Sequence, residues 1–480
     1  MKKKWPVTST SHNQFTEHNT SFYLFLSILF LLPIPLGANR PWAWSLFELA
    51  IFGLTLYTTF RMRGHKDLGA SHYMNMLVLW IGFILVSCLQ IIPLPLDIVS
   101  QLSPHSAQLY SLANASQFYL STDVGQSIIS LIKLLSLLCL MILTFQLVNT
   151  EQRIRQLLMV MVASGTFQAL YGSVEVLLGL ETSIIFGFEV DQRATGSFVY
   201  HNHYANFLML CLAAGVGLIV TSLEKDKHLS PKDRFRSIAT GLLGSKTIIR
   251  ICLAVMVIGL VMSRSRMGNA AFFISVAVVG FIAVLLIKNR SRGLLVFVAS
   301  MFVIDLFIVS AYFGLEQVKE RLTQTSLTSE TRDEVVQDAA RILQDFPLFG
   351  SGGGSFYSIF PQYQRQDVFA FYDHAHNDYL QFAIEYGLIG FFILVLIFSF
   401  ALYKALRAMY RRRNSIFKGT AFAVAMALLG MGIHMTVDFP LQAYANAAYF
   451  TVFIALAMII NSLKLRTVKK SSSRTSSPRR

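Results

Sequence analysis

The segment 373–379, Asp-His-Ala-His-Asn-Asp-Tyr, holds the most concentrated set of side chains able to transfer protons. His374 and His376 titrate near neutral pH, so either ring can accept or donate a proton under working conditions. Asn377 and Asp378 follow directly, at the start of a long apolar run. Side chains of this kind at that position predict a catalytic site held at the edge of a membrane.

The composition defines the setting of this segment. Of 480 residues, 54% are hydrophobic and only 14% are charged, which indicates a polytopic membrane protein. Apolar runs that are long enough to cross a bilayer number about twelve. They cover residues 22–38, 43–60, 74–92, 125–148, 154–178, 205–223, 247–262, 267–287, 294–312, 379–403, 417–434 and 447–463. Backbone amides in hydrocarbon must bond within their own segment, so the predicted fold class is all-α.

The distribution of lysine and arginine predicts how these helices are oriented. The N-terminal segment, every second loop after it and the C-terminal tail together hold 31 of the 41 basic residues. Because cytoplasmic loops retain the excess of positive charge, both termini are predicted to be cytoplasmic. The net charge of +15 then reflects topology and contact with anionic membrane lipids, and it does not indicate a nucleic-acid partner.

The predicted domains follow from these runs. A cytoplasmic N-terminal segment (1–21) precedes the transmembrane catalytic domain (22–463), and a basic cytoplasmic tail (464–480) is too polar to fold. The catalytic domain includes one large loop on the outer side of the membrane, residues 313–378. In this loop a capping box at 331–334 precedes an apolar stripe at helical spacing, which predicts an amphipathic helix lying on the membrane face. The stripe consists of Val335, Ala339, Ile342, Leu343 and Phe346.

Two features of this loop allow more than one interpretation. Arg332 would lie in the first turn of the helix, where a cation opposes the helix dipole. A bound phosphate would offset that repulsion, whereas the alternative is a solvated surface arginine. The segment 350–356 is rich in glycine and includes Gly352, so its backbone can approach a substrate closely or form a plain flexible turn.

Other polar groups fall on the same predicted outer face. Arg264 and Arg266 form a turn between two spans, and arginines at this depth favour an anionic partner or lipid headgroups. The histidines at 201 and 203 have no third ligand spaced for a metal, so the rim of a substrate cavity is the better interpretation. The further residues expected at this rim are Arg193, Asn202, His203 and, more weakly, Asp438. Together these groups predict one outward-facing cavity lined by cations.

The same residues carry a family resemblance. The string 373–381, followed by Glu-Tyr-Gly-Leu-Ile-Gly at 385–390, resembles the signature of the O-antigen ligase and polymerase superfamily. Three further pieces fit in order: Thr195-Gly196-Ser197-Phe198 leading to Asn202, Ser265-Arg266 between two spans, and Arg332 followed by Phe-Pro-Leu-Phe-Gly-Ser-Gly at 346–352. The resemblance extends over residues 190–440.

This resemblance implies a metal-independent membrane glycosyltransferase with a GT-C-like fold and no cofactor. The enzyme would move glycan from an undecaprenyl diphosphate carrier to a lipid A-core, glycan or protein acceptor at the periplasmic face of the bacterial inner membrane. His376 would be the general base, and Arg266 and Arg332 would hold the diphosphate, roles that suit a titrating ring and permanently charged guanidinium groups. The substrate-binding residues would be Arg264, His374, Asn377, Asp378, Arg193, Asn202, His203 and Gly352.

Several alternatives stay open at this point. A ligase of lipopolysaccharide biosynthesis is favoured, and an O-antigen or exopolysaccharide polymerase and a protein O-oligosaccharyltransferase share similar motifs. A transporter or flippase for lipid-linked sugar would bind diphosphate through the same arginines, but it predicts discontinuous midplane helices in symmetric positions. His376 is preferred over His374 because it adjoins Asn377 and the helix. Either Arg264 or Arg266 could hold the phosphate, and the sugar, the acceptor and the oligomeric state are not specified.

Overall fold

The computed structural model describes residues 10–61, 70–190, 192–225, 245–287, 326–365 and 372–463, with six positions between 293 and 300. Every regular element in these residues is a helix, so the predicted all-α class is confirmed for the described part of the chain. The predicted tail 464–480 and the first nine residues lie outside the described residues.

The helices are numbered here in chain order. They are α1 (Thr10–Leu31), α2 (Pro41–Arg61), α3 (Ala70–Ile91), α4 (Leu96–Leu102), α5 (Pro104–Leu112), α6 (Val124–Leu147), α7 (Glu151–Leu177), α8 (His201–Lys225), α9 (Ser245–Met262), α10 (Arg266–Leu286), α11 (Ser326–Asp345), α12 (Phe356–Ile359), α13 (Asp378–Arg411), α14 (Ser415–His434) and α15 (Tyr444–Ser462). Single 3-10 turns occur at Leu36–Ala38, Phe360–Gln362 and Pro440–Gln442.

Nine helices within the described residues are long and apolar enough to cross a membrane: α2, α3, α6, α7, α8, α10, α13, α14 and α15. The apolar parts of α1 and α9, Asn19–Leu31 and Thr247–Met262, are shorter. These helices account for eleven of the predicted apolar runs, and the run 294–312 lies almost wholly outside the described residues. The total of twelve therefore stays a prediction.

The first predicted run, 22–38, was drawn too long. Helix α1 ends at Leu31, because Pro33 and Pro35 lack the backbone N–H that a continuing helix requires. The chain then turns at Gly37, whose φ of 65° lies in the left-handed region. A Cβ at Gly37 would lie 2.3 Å from the Phe198 ring, so this turn packs against the segment that leads into α8.

Helices α8 and α14 pack against each other in the buried centre of the bundle. Small residues allow their backbones to approach closely: a Cβ on Gly217 would lie 2.5 Å from the carbonyl oxygen of Gly419. Helix α15 is buried beside them, with Tyr449 donating a hydrogen bond to the Leu29 carbonyl at 2.9 Å. This core fixes the positions of the first residues of α8 and the last residues of α14.

The candidate site residues lie at one end of the helix bundle. At one end, called the site end below, α8, α10 and α13 begin and α14 finishes, so His201, Arg266, Asp378 and His434 share this end. At the opposite end α13 finishes at Arg411 and α15 finishes at Ser462. The sequence placed the candidate residues on one face, and the helix directions agree with that placement.

Helix α11 has the predicted apolar stripe. Val335, Ala339, Ile342 and Phe346 are buried, and they pack against Ala375 and Ile384 together with aromatic residues of α12 and the turn after it. The helix thus rests on the loop before α13 and on the first turns of α13. This contact holds the segment 373–379 against the bundle.

The predicted start of this helix was wrong. Helix α11 is already formed at Ser326, five residues before the proposed capping box at Thr331, because the intervening residues include no glycine or proline to stop it. Arg332 therefore lies beyond the first turn, and its charge does not oppose the helix N-terminus. The side chain of Arg332 falls outside the described residues, so its role in binding stays a prediction.

Candidate functional site

Helix α13 is broken at Gly387, and the glycine-rich segment fills the break. Gly387 has φ 64° and ψ 179°, which interrupts the helical hydrogen bonds. The segment 347–352 supplies replacements: Leu388 donates to the Pro347 carbonyl at 2.8 Å, and Ser351 donates to the Ile384 carbonyl at 2.8 Å. A Cβ on Gly387 would lie 2.2 Å from the Leu348 carbonyl oxygen. Glycine is required here by backbone contact within the protein.

Gly352 belongs to the same packing. Its φ is 113°, its N–H donates to the Glu385 carbonyl at 3.0 Å, and an added Cβ would lie 2.1 Å from Ser121 Oγ. The residue is buried. Its position favours a structural role over the predicted contact with substrate.

Gln90, near the end of α3, holds this break together. Its Nε2 donates to the carbonyls of Phe349 (2.6 Å) and Glu385 (2.7 Å), and its Oε1 accepts from Gly353 N–H at 3.1 Å. The sequence analysis missed Gln90. The available signal was a lone amide side chain in the last turn of an apolar run.

Asn377 and Asp378 fasten the start of α13 to the segment after α14. Asn377 caps the helix, with Oδ1 accepting from Leu380 N–H at 3.1 Å, and its Nδ2 donates to the Thr436 carbonyl at 3.0 Å. The fully buried Asp378 carboxylate accepts from Leu441 N–H at 2.9 Å and from Gln442 Nε2 at 3.3 Å. Both predicted substrate-binding residues thus position the segment 373–379 through contacts within the protein.

Phe439 brings the separate histidines together. His374 stacks on its ring with a centroid distance of 4.3 Å, and His376 meets it edge-on at 4.9 Å. His203, from the first turn of α8, meets the same ring edge-on at 5.0 Å, and Tyr200 stacks at 5.6 Å. The predicted convergence of the 201–203 and 373–379 segments is therefore observed, around an aromatic residue that the sequence analysis did not select.

A buried carboxylate links the same two segments. Asp438 Oδ2 accepts from Asn202 Nδ2 in a short hydrogen bond, and from Tyr200 OH at 3.3 Å. Asn202 Nδ2 also lies 2.7 Å from Tyr200 OH. Asp438 was weakly expected at the site rim, and its carboxylate holds the predicted residue Asn202 there.

Gln381 fixes the orientation of the His374 ring. The N–H of Ala375, which can only donate, lies 3.2 Å from Gln381 Oε1. Gln381 Nε2 therefore faces His374 Nδ1 at 3.0 Å and Glu385 Oε1 at 3.0 Å. An amide nitrogen donates and does not accept, so Nδ1 of His374 accepts this bond and the ring proton lies on Nε2.

The surroundings of His374 keep the ring neutral. Burial lowers the pKa of His374 below its ordinary value, while the nearby Asp373 carboxylate acts in the opposite direction. His374 Nε2 lies 3.9 Å from Asp373 Oδ2. Since the only lone pair on the neutral ring already accepts from Gln381, His374 is better suited to donate a hydrogen bond to a negative oxygen than to remove a proton.

His376 has a different environment. It is half-buried, and its φ of 50° places its backbone in the left-handed region, which costs free energy for a non-glycine residue. Its ring also faces Tyr372 edge-on at 6.0 Å. A strained backbone that directs an imidazole into a polar cluster is the arrangement typical of catalytic residues.

The arginine turn lies at the same end of the bundle. Arg264 has φ 52°, and Ser265 caps α10 through its Oγ, which accepts from Gly268 N–H at 3.1 Å. Arg264 and Arg266 are both exposed, and within the described residues neither has a hydrogen-bond or ion-pair partner. Arg266 is the first residue of α10, so its charge opposes the helix dipole. A bound anion would offset this repulsion at Arg266, in the way the sequence predicted for Arg332.

Arg193 is tied to this turn through its neighbour. The N–H of Ala194 donates to the Met262 carbonyl at 3.0 Å, at the last residue of α9. Arg193 Nη1 lies 3.5 Å from His201 Nε2. A Cβ on Gly268 would lie 2.6 Å from Ala205 Cβ, which brings α10 against α8 one turn below the histidines. Arginine and histidine side chains thus approach each other at the site end.

A cavity of about 270 Å³ extends below the site between α3, α6, α13 and α15. Its walls are mainly apolar, and its charged residues are Lys133 and Glu385. The Lys133 ammonium lies 3.6 Å from the centroid of the Trp44 ring. Glu385 also accepts a hydrogen bond from Gln381, so the wall of the cavity is linked through Gln381 to His374.

Comparison with known proteins agrees with the motif analysis. Residues 251–395 match the family model described as O-antigen ligase, and this match covers the arginine turn, α11, the glycine-rich segment and the histidines of 373–379. No curated protein matches the chain. Within the described residues, no group of three or more His, Cys, Asp or Glu side chains is arranged to hold a metal ion. The resemblance drawn from the sequence is confirmed over the matched residues.

Proposed function

From the match of residues 251–395 to the O-antigen ligase family, we propose that this protein transfers glycan from an undecaprenyl diphosphate carrier to an acceptor at the periplasmic face of the inner membrane. The acceptor is lipid A-core in the favoured, ligase-like form of the proposal. The observation that carries it is the meeting of His203, His374 and His376 on Phe439, at the bundle end that also holds Arg264 and Arg266.

The environments of the two histidines support a division of labour. His376 accepts the proton of the acceptor hydroxyl as that oxygen attacks the anomeric carbon. The bond from the anomeric carbon to the diphosphate oxygen breaks, and the diphosphate leaves with both bonding electrons. Gln381 fixes the ring proton of His374 on Nε2, so His374 donates this hydrogen bond to a negative oxygen of the bound substrate.

The arginines bind the diphosphate leaving group. Guanidinium groups stay charged and can donate two parallel hydrogen bonds to phosphate oxygens. Arg266 is the better placed of the two candidates, because a bound diphosphate would relieve the repulsion between its charge and the N-terminus of α10. Arg332 is proposed as the second phosphate ligand on the strength of the family motif.

The apolar cavity supports a lipid-linked donor. Its aromatic and aliphatic walls suit a hydrocarbon chain, and one of its wall residues, Glu385, accepts a hydrogen bond from Gln381. The carrier chain can therefore lie between α3, α6, α13 and α15 while its diphosphate points toward the histidines.

The broken helix α13 weighs against a transporter. Discontinuous helices of transporters leave backbone ends that coordinate substrate or ions. Here the backbone groups freed at Gly387 are taken by the segment 347–352 and by Gln90. The break therefore binds the segment 347–352 to α13 and leaves no backbone groups of this kind for a substrate or ion.

A deletion strain examined for its glycans tests the proposal. Loss of capped lipopolysaccharide with accumulation of carrier-linked polymer is the result expected for a ligase. Single-repeat products would instead identify a polymerase, and normal lipopolysaccharide with an unglycosylated protein would identify a protein-directed transferase. An unchanged profile of all three kinds of product would contradict the proposed function.

A further inference from the structure

A second cavity, of about 390 Å³, lies at the opposite end of the bundle between the last turns of α13 and α15. It is lined by Lys404, Arg407, Arg411, Arg412, Met458, Asn461 and Ser462. Four of these seven residues are cations and none is acidic. The glycan-transfer site uses none of them.

The cations are concentrated on one face of α13. Lys404, Arg407 and Arg411 are spaced by three and four residues, so their side chains project from the same side of the helix. Lys404 and Arg407 are half-buried. Like charges at this spacing repel each other, and burial reduces the screening by water. In the part of the chain that the structure describes, no carboxylate forms an ion pair with any of the three.

The walls of the cavity are held in place by other contacts. Asn461 Nδ2 donates to the Lys404 carbonyl at 2.8 Å, which fixes α15 against α13. Ser462 Oγ donates to Tyr73 OH at 3.0 Å. Arg412 donates to the Leu463 carbonyl in a short hydrogen bond and lies 4.5 Å from the centroid of the Phe417 ring. The cavity is therefore formed before any ligand enters.

The dipole of α15 explains only part of this charge. Carbonyl groups at a helix C-terminus attract cations, and the Leu463 carbonyl takes Arg412. Arg412 Nε is buried without a hydrogen-bond partner among the described residues. Among the described residues, the side chains of Lys404, Arg407 and Arg411 have no comparable hydrogen bond to α15, and Lys404 Nζ lies 4.9 Å from the centroid of the Phe400 ring. Most of the positive charge is therefore not neutralised within the described part of the chain.

We propose that this cavity binds the phosphate group of an anionic molecule, with the headgroup of a membrane phospholipid as its source. Basic pockets between transmembrane helices are a recognised form of phosphate-headgroup site. The paired donors of Arg407 and Arg411 suit phosphate oxygens. Occupancy would join α13 to α15 at the end farthest from the histidines.

Thermal unfolding of the full chain tests this proposal. The protein is purified in neutral detergent and titrated with cardiolipin, with phosphatidylcholine or with inorganic diphosphate. The variant R407Q/R411Q removes two charges from the cavity. The variant R155Q/R413Q removes two charges outside the cavity lining and serves as the matched control. Native mass spectrometry of the same samples counts bound lipid, so binding is measured even if a variant is less stable.

We expect cardiolipin to raise the melting temperature of the wild type and of R155Q/R413Q, and its apparent affinity to fall roughly tenfold or more in R407Q/R411Q. Protection by cardiolipin but not by inorganic diphosphate would identify the lipid headgroup as the source. Protection by both would establish phosphate recognition without a lipid requirement. Equal affinity in both variants, or no difference between cardiolipin and phosphatidylcholine, would overturn the proposal.

Discussion

Gln381 Nε2 lies 3.0 Å from His374 Nδ1, and this contact determines which ring nitrogen carries the proton. The amide cannot turn over, because its Oε1 accepts the N–H of Ala375 and its Nε2 also donates to Glu385. Gln381, seven positions beyond His374, thus makes His374 a hydrogen-bond donor at Nε2, a role that differs from the one proposed for His376.

Replacing Gln381 with glutamate should reverse this relationship. The carboxylate can still accept from Ala375, but it now accepts from His374 Nδ1 and stabilises the imidazolium, which raises the pKa of His374. In the neutral ring the proton then lies on Nδ1 and Nε2 cannot donate, so we expect a loss of about tenfold or more at neutral pH, and a pH–rate profile shifted to lower pH, where the imidazolium again donates from Nε2. A Gln381→Met variant removes the hydrogen bond without adding charge, so it should lose activity without that shift. Identical pH profiles for both variants would contradict the assigned orientation.

The half-buried, neutral His374 also predicts a dependence of stability on pH. Its folded-state pKa is lower than the ordinary value of 6.5, so the unfolded chain binds the proton more readily. Its contribution to stability is present above pH 6.5 and is lost as the pH falls below that value. We expect the melting temperature of the wild type to drop more steeply between neutral and mildly acidic pH than that of His374→Gln. Parallel curves would show that folding does not lower the pKa of His374.

Substitution of Gly387 should damage the fold of the site. The Cβ of an alanine at this position would lie 2.2 Å from the Leu348 carbonyl oxygen, and the alanine would have to adopt a positive φ. We expect the free energy of unfolding to fall by about 2–4 kcal/mol, as measured by chemical or thermal unfolding in detergent. Gly179 is a matched control, since its φ is 62° but nothing lies within 4 Å of an added Cβ. Gly179→Ala should cost only about 1 kcal/mol, and an equal effect at the two positions would contradict the packing argument.

Arg266 should matter for the donor and not for the fold. Arg266→Gln removes an exposed cation from the N-terminus of α10, so it should leave the melting temperature unchanged or raise it slightly. Loss of charge-assisted hydrogen bonds to diphosphate should lower kcat/KM for the lipid-linked donor by roughly 10–100-fold. Arg264→Gln provides the comparison within the same turn, and we expect it to have the smaller effect. The opposite ranking would assign the phosphate to Arg264.

The helices and their common end could be predicted because apolar runs and loop charge are local properties of the sequence. The first predicted run failed at its end, since hydropathy continued through Pro33 and Pro35 while the helix could not. The start of α11 was also misplaced. A capping box at Thr331 allows a helix to begin there but does not require it, and the preceding residues are equally able to form a helix.

The candidate site was predicted in outline but not in its organisation. The histidine segments could be placed on one face, yet Phe439 was not foreseen, because an aromatic residue after Asp438 looks like ordinary packing in the sequence. Gln90 and Gln381 were missed for a related reason: an amide side chain acquires its role only from partners far along the chain. The glycine-rich segment was read as a turn or ligand contact, whereas its partner is the break at Gly387.

The most direct test of the account measures glycan transfer by His376→Ala in membranes that contain wild-type amounts of the protein. A lost general base should reduce transfer by about a hundredfold or more while the protein stays folded and inserted. His105→Ala is the control, because this histidine lies on α5 near Asp345 and Tyr363, outside the Phe439 cluster. Full activity of His376→Ala, or an equal loss in His105→Ala, would contradict the assignment of His376 as the base.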